Sequence, residues 1–393
     1  MTRVPVHEVM QAAQNHVNEG EFAEAEETYR AILAQAPQYA EASYALGMLK
    51  ARFAENGEAI ELLGRAIAAN PAEARYHDSL GTLYKAEQRI PEAIACFERA
   101  IQLRPDDDEM KWRLSSARME QMELNAPACR ISYLIASRND HFCGNPMDRL
   151  RLVLRRILEV GGDFEIVVAD WGSDVPIYEG MKPQLPATGK IRFLHISKSV
   201  TEGMKTPFSE VHALNAAVRR SRGIFAGRLD QDTLIGDRFA GWVANVLEAD
   251  DRRAYFSMRR DLKPGVTRID RKAAIWRGVS ADWPRFFTGG VGILLAPRRL
   301  WHWTRGYDES LIYRNHMEHD LCLRLANLNG LRNLGVLIEC DFYHLWHEEP
   351  TGVVVNKPKA LEQIAADARA NLRVNDESWG LGECAEQIRE QVL

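Results

Sequence analysis

The sequence is poor in the features that would make it a disulfide scaffold, a zinc module or a membrane span. Its six cysteines (Cys96, Cys129, Cys143, Cys322, Cys340, Cys384) are scattered among 393 residues, with no Cys-x-x-Cys pair. That spacing fits neither a zinc ribbon nor a dense disulfide framework and predicts buried thiols in a reducing compartment. No stretch of about 18 uncharged apolar residues occurs, so no transmembrane segment is expected. The opening MTRVPVHEVMQAAQNH lacks the apolar run of a secretory signal. Positive charge is not in excess either. Fifty Lys and Arg against 55 Asp and Glu give a net charge of −5, which argues against a bulk electrostatic grip on nucleic acid. The expected location is the cytoplasm, at the inner membrane face only through partners, with no nucleic-acid partner.

What the sequence does have is a repeat. Pro37, Pro71 and Pro105 stand in one register, and Ala25, Ala59 and Ala93 in another; Tyr29, Leu63 and Phe97 follow the same spacing. Leu46-Gly47 recurs as Leu80-Gly81, with Ala13 at the corresponding place in the first unit. Small residues let two helices of a hairpin approach closely, the large apolar residue four positions on fills the next groove, and proline ends the second helix. This grammar resembles the tetratricopeptide repeat. Residues 106–124 open with acids and continue as an amphipathic helix, which reads as the solenoid's capping helix.

The grammar changes at Ala126-Pro127. Short apolar runs at 131–137, 164–170, 191–197 and 224–232 alternate with helical patterns at 147–159 and 212–223. Such alternation predicts a doubly wound, mostly parallel sheet with flanking helices, which binds its ligand at the carboxyl ends of the strands. Polar residues cluster there: Ser137-Arg138-Asn139-Asp140, Asp170-Trp171-Gly172-Ser173-Asp174 and Asp230-Gln231-Asp232. Two carboxylates at i and i+2 after an apolar strand can converge on one hard cation, which in turn neutralises a diphosphate. His344 and His347, in FYHLWHEEP, offer two imidazoles that suit Mn²⁺ or Zn²⁺. The intervening Leu-Trp excludes the zincin motif.

Six segments occur in order: the strand ending IVVADWGSD, the run SEVHALNAAVRRSRGIFAGRL, the Asp-x-Asp at its end, FFTGGVGILLAPRRLWHWTRGYDESL, MEHDLCLRL and FYHLWHEEP. Together they resemble the GT-A glycosyltransferases, close to family 2 and to β-galactosyltransferase and chondroitin-synthase-type domains. The resemblance implies a Rossmann-like GT-A domain over 128–356, after a repeat domain over 1–124 and before a helical tail over 357–393. The fold class expected is therefore an all-α solenoid followed by an α/β domain.

The resemblance further implies a donor site. Ser137, Arg138, Asn139, Asp170 and Asp174 would line the nucleotide pocket, with Asn215, Asp230, Gly289 and Gly290 contributing to donor binding. Trp283, Phe286 and Phe287 would join the two glycines as a platform for a sugar, and Trp379 could cap the site. Asp232 would be the metal ligand, joined by His344, His347 or both, with Mn²⁺ or Mg²⁺ as the ion. The general base falls at Glu318, with Met317 where the family has glutamate; Asp320 is the fallback, and His319 could shuttle a proton. The reaction implied is inverting transfer of a hexose or N-acetylhexosamine from a UDP-linked or similar donor to a glycan or protein hydroxyl. The repeats would bind a protein partner or a second copy. A non-catalytic scaffold with a decayed transferase domain is the alternative. A nucleotidyltransferase fits less well, because SRNDHFCGN lacks the glycine-rich basic loop that it needs.

Overall fold

The computed structural model of the chain describes residues 5–122, 124–139, 145–247, 253–276, 290–312, 317–348 and 361–393. It divides into two compact units, Met1–Glu123 and Leu124–Leu393.

Unit 1 consists, among the described residues, of α1 (Val6–Glu19), α2 (Phe22–Gln35), α3 (Ala40–Arg52), α4 (Asn56–Ala69), α5 (Ala74–Ala86), α6 (Ile90–Leu103) and α7 (Asp108–Gln121). They pack as three hairpins and a last single helix. Each repeat proline follows the end of α2, α4 or α6, where a residue without an N–H costs no helical hydrogen bond. Ala25, Ala59 and Ala93 are fully buried, and Tyr29, Leu63 and Phe97 nearly so. The close approach is tightest at Gly81, where a Cβ would lie 2.8 Å from the Phe97 ring. The Asp107 carboxylate accepts from the Met110 N–H at 3.0 Å and caps α7.

Unit 2 begins with β1 (Cys129–Ser137), α8 (Pro146–Val160), β2 (Phe164–Trp171), α9 (Ile177–Met181), β3 (Ile191–Ile196), α10 (Lys198–Thr201), α11 (Glu210–Arg220) and β4 (Gly223–Leu229). There follow β5 (Thr233–Ile235), α12 (Asp237–Asn245), β6 (Ala254–Met258), β7 (Arg260–Leu262), β8 (Ala274–Trp276), β9 (Val291–Pro297) and α13 (Arg298–Thr304). The chain closes with α14 (Met317–Asn329), β10 (Leu331–Asn333), α15 (Leu334–Ile338), β11 (Phe342–His344), α16 (Leu361–Ala370) and β12 (Ile388–Val392).

The large sheet runs β10-β6-β9-β4-β1-β2-β3-β12. Its centre, β3-β2-β1-β4, is parallel, and β2 is buried along its whole length as a strand covered on both faces must be. The sheet as a whole is mixed, not mostly parallel, because β9 runs antiparallel to both β4 and β6, and β12 antiparallel to β3. The tail is also not simply helical: after α16 it returns to the sheet edge as β12. A second sheet, β5-β11-β7-β8, has no counterpart in the sequence reading. Its strands are three residues long, too short to show a period of two.

Candidate functional site

In the order β3-β2-β1-β4 the chain winds one way from β1 to β3 and the other way to β4, so the crevice at the carboxyl ends of β1 and β4 is the topological switch point. Ser137 ends β1, and its hydroxyl donates to Gln231 Oε1 at 2.5 Å, tying β1 to the turn after β4. That turn separates the two acids. The strand stops at Leu229, and the two acids then meet different partners, Asp230 the Arg228 and Arg259 guanidinium groups and Asp232 the His344 and His347 imidazoles.

Asp232 directly precedes β5. The antiparallel pairing His344↔Thr233 brings the end of β11 beside it, and the Leu345 N–H donates to the Asp232 carbonyl at 2.7 Å. The chain then turns so that both histidines face the buried carboxylate: His344 Nε2 is 3.4 Å from Oδ1 and His347 Nε2 is 3.3 Å from Oδ2. One donor atom from each of the three residues lies within 4.8 Å of the others.

The protons on these rings follow from their other nitrogens. His344 Nδ1 lies 3.2 Å from Asp261 Oδ1, and His347 Nδ1 lies 2.8 Å from the Glu348 carbonyl. Both acceptors require an Nδ1–H, which assigns the Nε2 lone pairs to the carboxylate side. Two neutral imidazoles would then point lone pairs at carboxylate oxygens. Only a proton on each ring or a shared cation removes that repulsion. The separations exceed the roughly 2.7–2.9 Å of a charge-assisted N–H···O bond. They match the roughly 3.0–3.5 Å between donors that share one ion at about 2.1 Å. The donor set of two imidazoles and a carboxylate, with a carboxylate behind one imidazole, therefore fits a divalent transition metal.

Burial raises the Asp232 pKa, but the neighbouring His344, His347 and Arg259 outweigh it and hold the carboxyl well below its usual range. Burial lowers that of His344, while the Asp232 and Asp261 carboxylates turn the net shift upward. Arg149 Nε stands 3.8 Å from Asp232 Oδ2.

Asp230 belongs to a neighbouring cluster. Arg228, buried within β4, meets Asp230 at 2.6 Å, Glu210 at 2.9 Å and Glu318 at 3.2 Å. Arg259 pairs with the other oxygen of Asp230. Burial opposes the Arg228 charge, but the three carboxylates raise its pKa well above the ordinary value. Glu318, in the first turn of α14, is pushed up by burial, held down by Arg228 and pushed up again by Glu210, with a net upward shift. The Tyr307 hydroxyl and Arg228 Nε are buried beside this cluster without a hydrogen-bond partner among the described residues. Arg228, Glu210, Arg259 and Asp261 were missed in the sequence. The one available signal was an arginine inside the otherwise apolar run IFAGRL.

Several expected donor contacts serve the fold instead. Asn215 is fully buried: its Nδ2 donates to the Tyr307 carbonyl at 2.8 Å and Glu309 Oε1 at 3.0 Å, and its Oδ1 accepts from the Tyr307 N–H at 2.8 Å. The amide is spent on the 305–309 turn, where Gly306 at φ 70° is needed because a Cβ would fall 2.1 Å from Asn215 Oδ1. Asp320 is taken by Arg324, fully buried one turn along α14, at 2.9 and 2.8 Å. Asp170 accepts from Ser173, from the Ile177 N–H at 2.9 Å and from His195 Nδ1 at 2.8 Å, and so organises its own turn. Trp379 is buried against His302, with the Arg219 guanidinium over its ring.

Asp174 is exposed and paired with Lys198, which lowers its pKa. Arg138 donates to the Pro207 carbonyl, while the Asn139 N–H donates to Ser173 Oγ at 2.8 Å, joining the ends of β1 and β2. Gly290 admits Arg259, whose Nε would be 2.4 Å from a Cβ there. Gly289, Trp283, Phe286 and Phe287 lie outside the described residues.

Residues 16–83 match a family model described as tetratricopeptide repeat, and residues 74–107 match a second of the same description. No curated protein matches the chain. Among solved structures, a crystal structure of MamA is 25% identical over 30% of this chain and 68% of its own, with a TM-score of 0.29. MamA from Desulfovibrio magneticus is 22% identical over 30% and 66%, with a TM-score of 0.28. An O-GlcNAc transferase from Thermobaculum terrenum is 22% identical over 42% of this chain and 37% of its own, with a TM-score of 0.27. No described helix is long and apolar enough to cross a membrane. The N-terminal region of the chain thus carries tetratricopeptide repeats, followed by an α/β unit with a large mixed sheet.

Proposed function

We propose that unit 2 is a metal-dependent GT-A-type glycosyltransferase. It moves a hexose or N-acetylhexosamine from a nucleotide-diphosphate sugar, UDP-linked by the sequence resemblance, to a glycan or protein hydroxyl. The observation that carries this reading is the convergence of Asp232, His344 and His347 on one point beside the β1/β4 switch crevice, with both Nε2 atoms turned inward. The parallel centre of the sheet supports a nucleotide site in that crevice.

Asp232, His344 and His347 would hold a divalent ion, Mn²⁺ foremost, with Asp261 fixing the tautomer of His344. When bound, the ion supplies charge neutralisation for the diphosphate leaving group. Arg149 and Arg259 add positive charge on the same side, and Ser137, Arg138, Asn139 and Asp174 form the nucleotide end. Glu318 takes the proton of the attacking hydroxyl. Its upward-shifted carboxyl is a better base than an ordinary glutamate, and Arg228 keeps it ionised and in place. Unit 1 binds a protein partner or a second copy of the chain.

Isothermal titration of the full chain with UDP, with and without Mn²⁺, tests the reading. Mn²⁺-dependent binding, abolished by Asp232→Asn, is expected. No UDP binding in either condition would remove the transferase proposal and leave a repeat scaffold.

A further inference from the structure

A cavity of about 320 Å³ lies where the 308–311 turn, the first turn of α14 and the end of α16 meet, at the lower end of the roughly 300–1,000 Å³ of ligand pockets. Neither the three proposed metal ligands nor Glu318 line it. Glu318 and Asp320 are two residues apart on α14, about 200° around the helix at about 100° per residue. The same helical turn therefore presents one carboxylate to the Arg228 cluster and the other to this cavity.

The polar lining is Asp308, Asp320, Asp367 and Asn371; Leu311, Ile364 and Val374 complete the wall. Asp320 is 7% exposed, and both of its contacts with Arg324 fall on Oδ2. Its Oδ1 has no partner among the described residues, a carboxylate oxygen held ready at the wall of a cavity. Ionised carboxylates only accept hydrogen bonds. A matching ligand must therefore be rich in donors on one side and apolar on another. A pyranose ring, with several hydroxyls around a C–H face, has that chemistry.

We propose that this cavity binds a saccharide ring through its hydroxyls. Because Glu318 faces away from the cavity, this is a saccharide site apart from the reacting hydroxyl, and its binding does not rest on the transferase reading. An amine-bearing ligand could satisfy the same carboxylates, so neutral and cationic sugars separate the two sources.

Saturation-transfer NMR on the full chain, with cellobiose as the neutral probe and glucosamine as the cationic one, tests the proposal. Cellobiose is expected to bind at millimolar concentration. Asp367→Asn should weaken it by about tenfold, the worth of one charge-assisted hydrogen bond. Asn371→Trp, at an exposed rim position, should block it, with an unchanged melting temperature as the folding control. Mn²⁺-dependent UDP binding should be the same in both variants and wild type. Absence of cellobiose binding, binding of glucosamine alone, or equal binding by Asn371→Trp would each overturn the saccharide site. Loss of UDP binding with cellobiose binding intact would instead overturn the transferase reading.

Discussion

The Leu345 N–H donates to the Asp232 carbonyl at 2.7 Å, and this bond couples two segments more than a hundred residues apart. It extends the β5–β11 ladder by one rung and sets the HxxH turn over the acid of the DxD turn. Removing either imidazole should cost the metal site a ligand: His344→Ala and His347→Ala are each expected to weaken Mn²⁺ affinity at least tenfold. Asp261→Asn, which weakens the support behind His344 and the contact with Arg259, should weaken it by about 10–100-fold. Titration of Mn²⁺ by electron paramagnetic resonance reads all three.

Glu318→Gln keeps the size of the side chain and removes its basicity. Transfer is expected to fall by about 10²–10⁴-fold, the usual contribution of a general base, with UDP and Mn²⁺ binding retained. A coupled assay for released UDP together with calorimetry checks both halves. A variant that still turns over at the wild-type rate would exclude Glu318 as the base.

Arg228 is the shared counter-ion of Glu210, Asp230 and Glu318. Arg228→Met leaves three carboxylates close together in a buried setting. The expected loss is about 3–5 kcal/mol in urea unfolding of unit 2, the cost of breaking a buried ion pair from one side.

Asn215→Ala strands the buried Tyr307 N–H and removes one of the two donors to the Tyr307 carbonyl and to Glu309 Oε1. A destabilisation of about 2–3 kcal/mol is expected, since unmade buried hydrogen bonds cost more than made ones contribute. The Glu309 carboxylate also accepts from the Gly380 N–H at 2.7 Å, and Asn375 donates to the Tyr307 carbonyl at 2.6 Å. Limited proteolysis of the 371–387 segment should therefore accelerate in the same variant.

His302 gives a pH dependence away from the metal residues. Burial, then the nearby charges of Arg298 and Arg219, lower its pKa to about 4 from the usual 6.5. Between those values the unfolded chain carries the proton and the folded chain does not, so stability rises with pH across this window. This contribution is complete above about 6.5 and is lost as pH falls towards 4. The drop from 6.5 to about 4 corresponds to about 3 kcal/mol. His302→Phe should flatten that part of the stability–pH curve, as measured by thermal melts in a buffer series.

The helices of unit 1 were readable because each encodes its partner locally. A small residue and a large one four positions on report one hairpin, and the 34-residue register repeats that report. The central strands of unit 2 were readable for a similar reason, as apolar runs with polar ends. Asp232 and the two histidines follow from motif order, whereas the packing contacts of Asp170, Asn215 and Asp320 do not. Each is polar and stands in a functional-looking motif, yet its partner (His195, Tyr307 or Arg324) is determined by packing rather than by the motif.

The sequence by itself determined where the repeats lie, where the parallel strands lie to within a few residues, and which acids and imidazoles were available. Periodicity and strand-end chemistry are local and survive in one dimension. Tertiary structure alone decided that β12 returns antiparallel to the edge, that a second sheet of three-residue strands forms, and that both Nε2 atoms face one carboxylate. Those outcomes depend on register between distant segments and on which nitrogen of each ring finds another acceptor, and neither is written in the spacing of the residues.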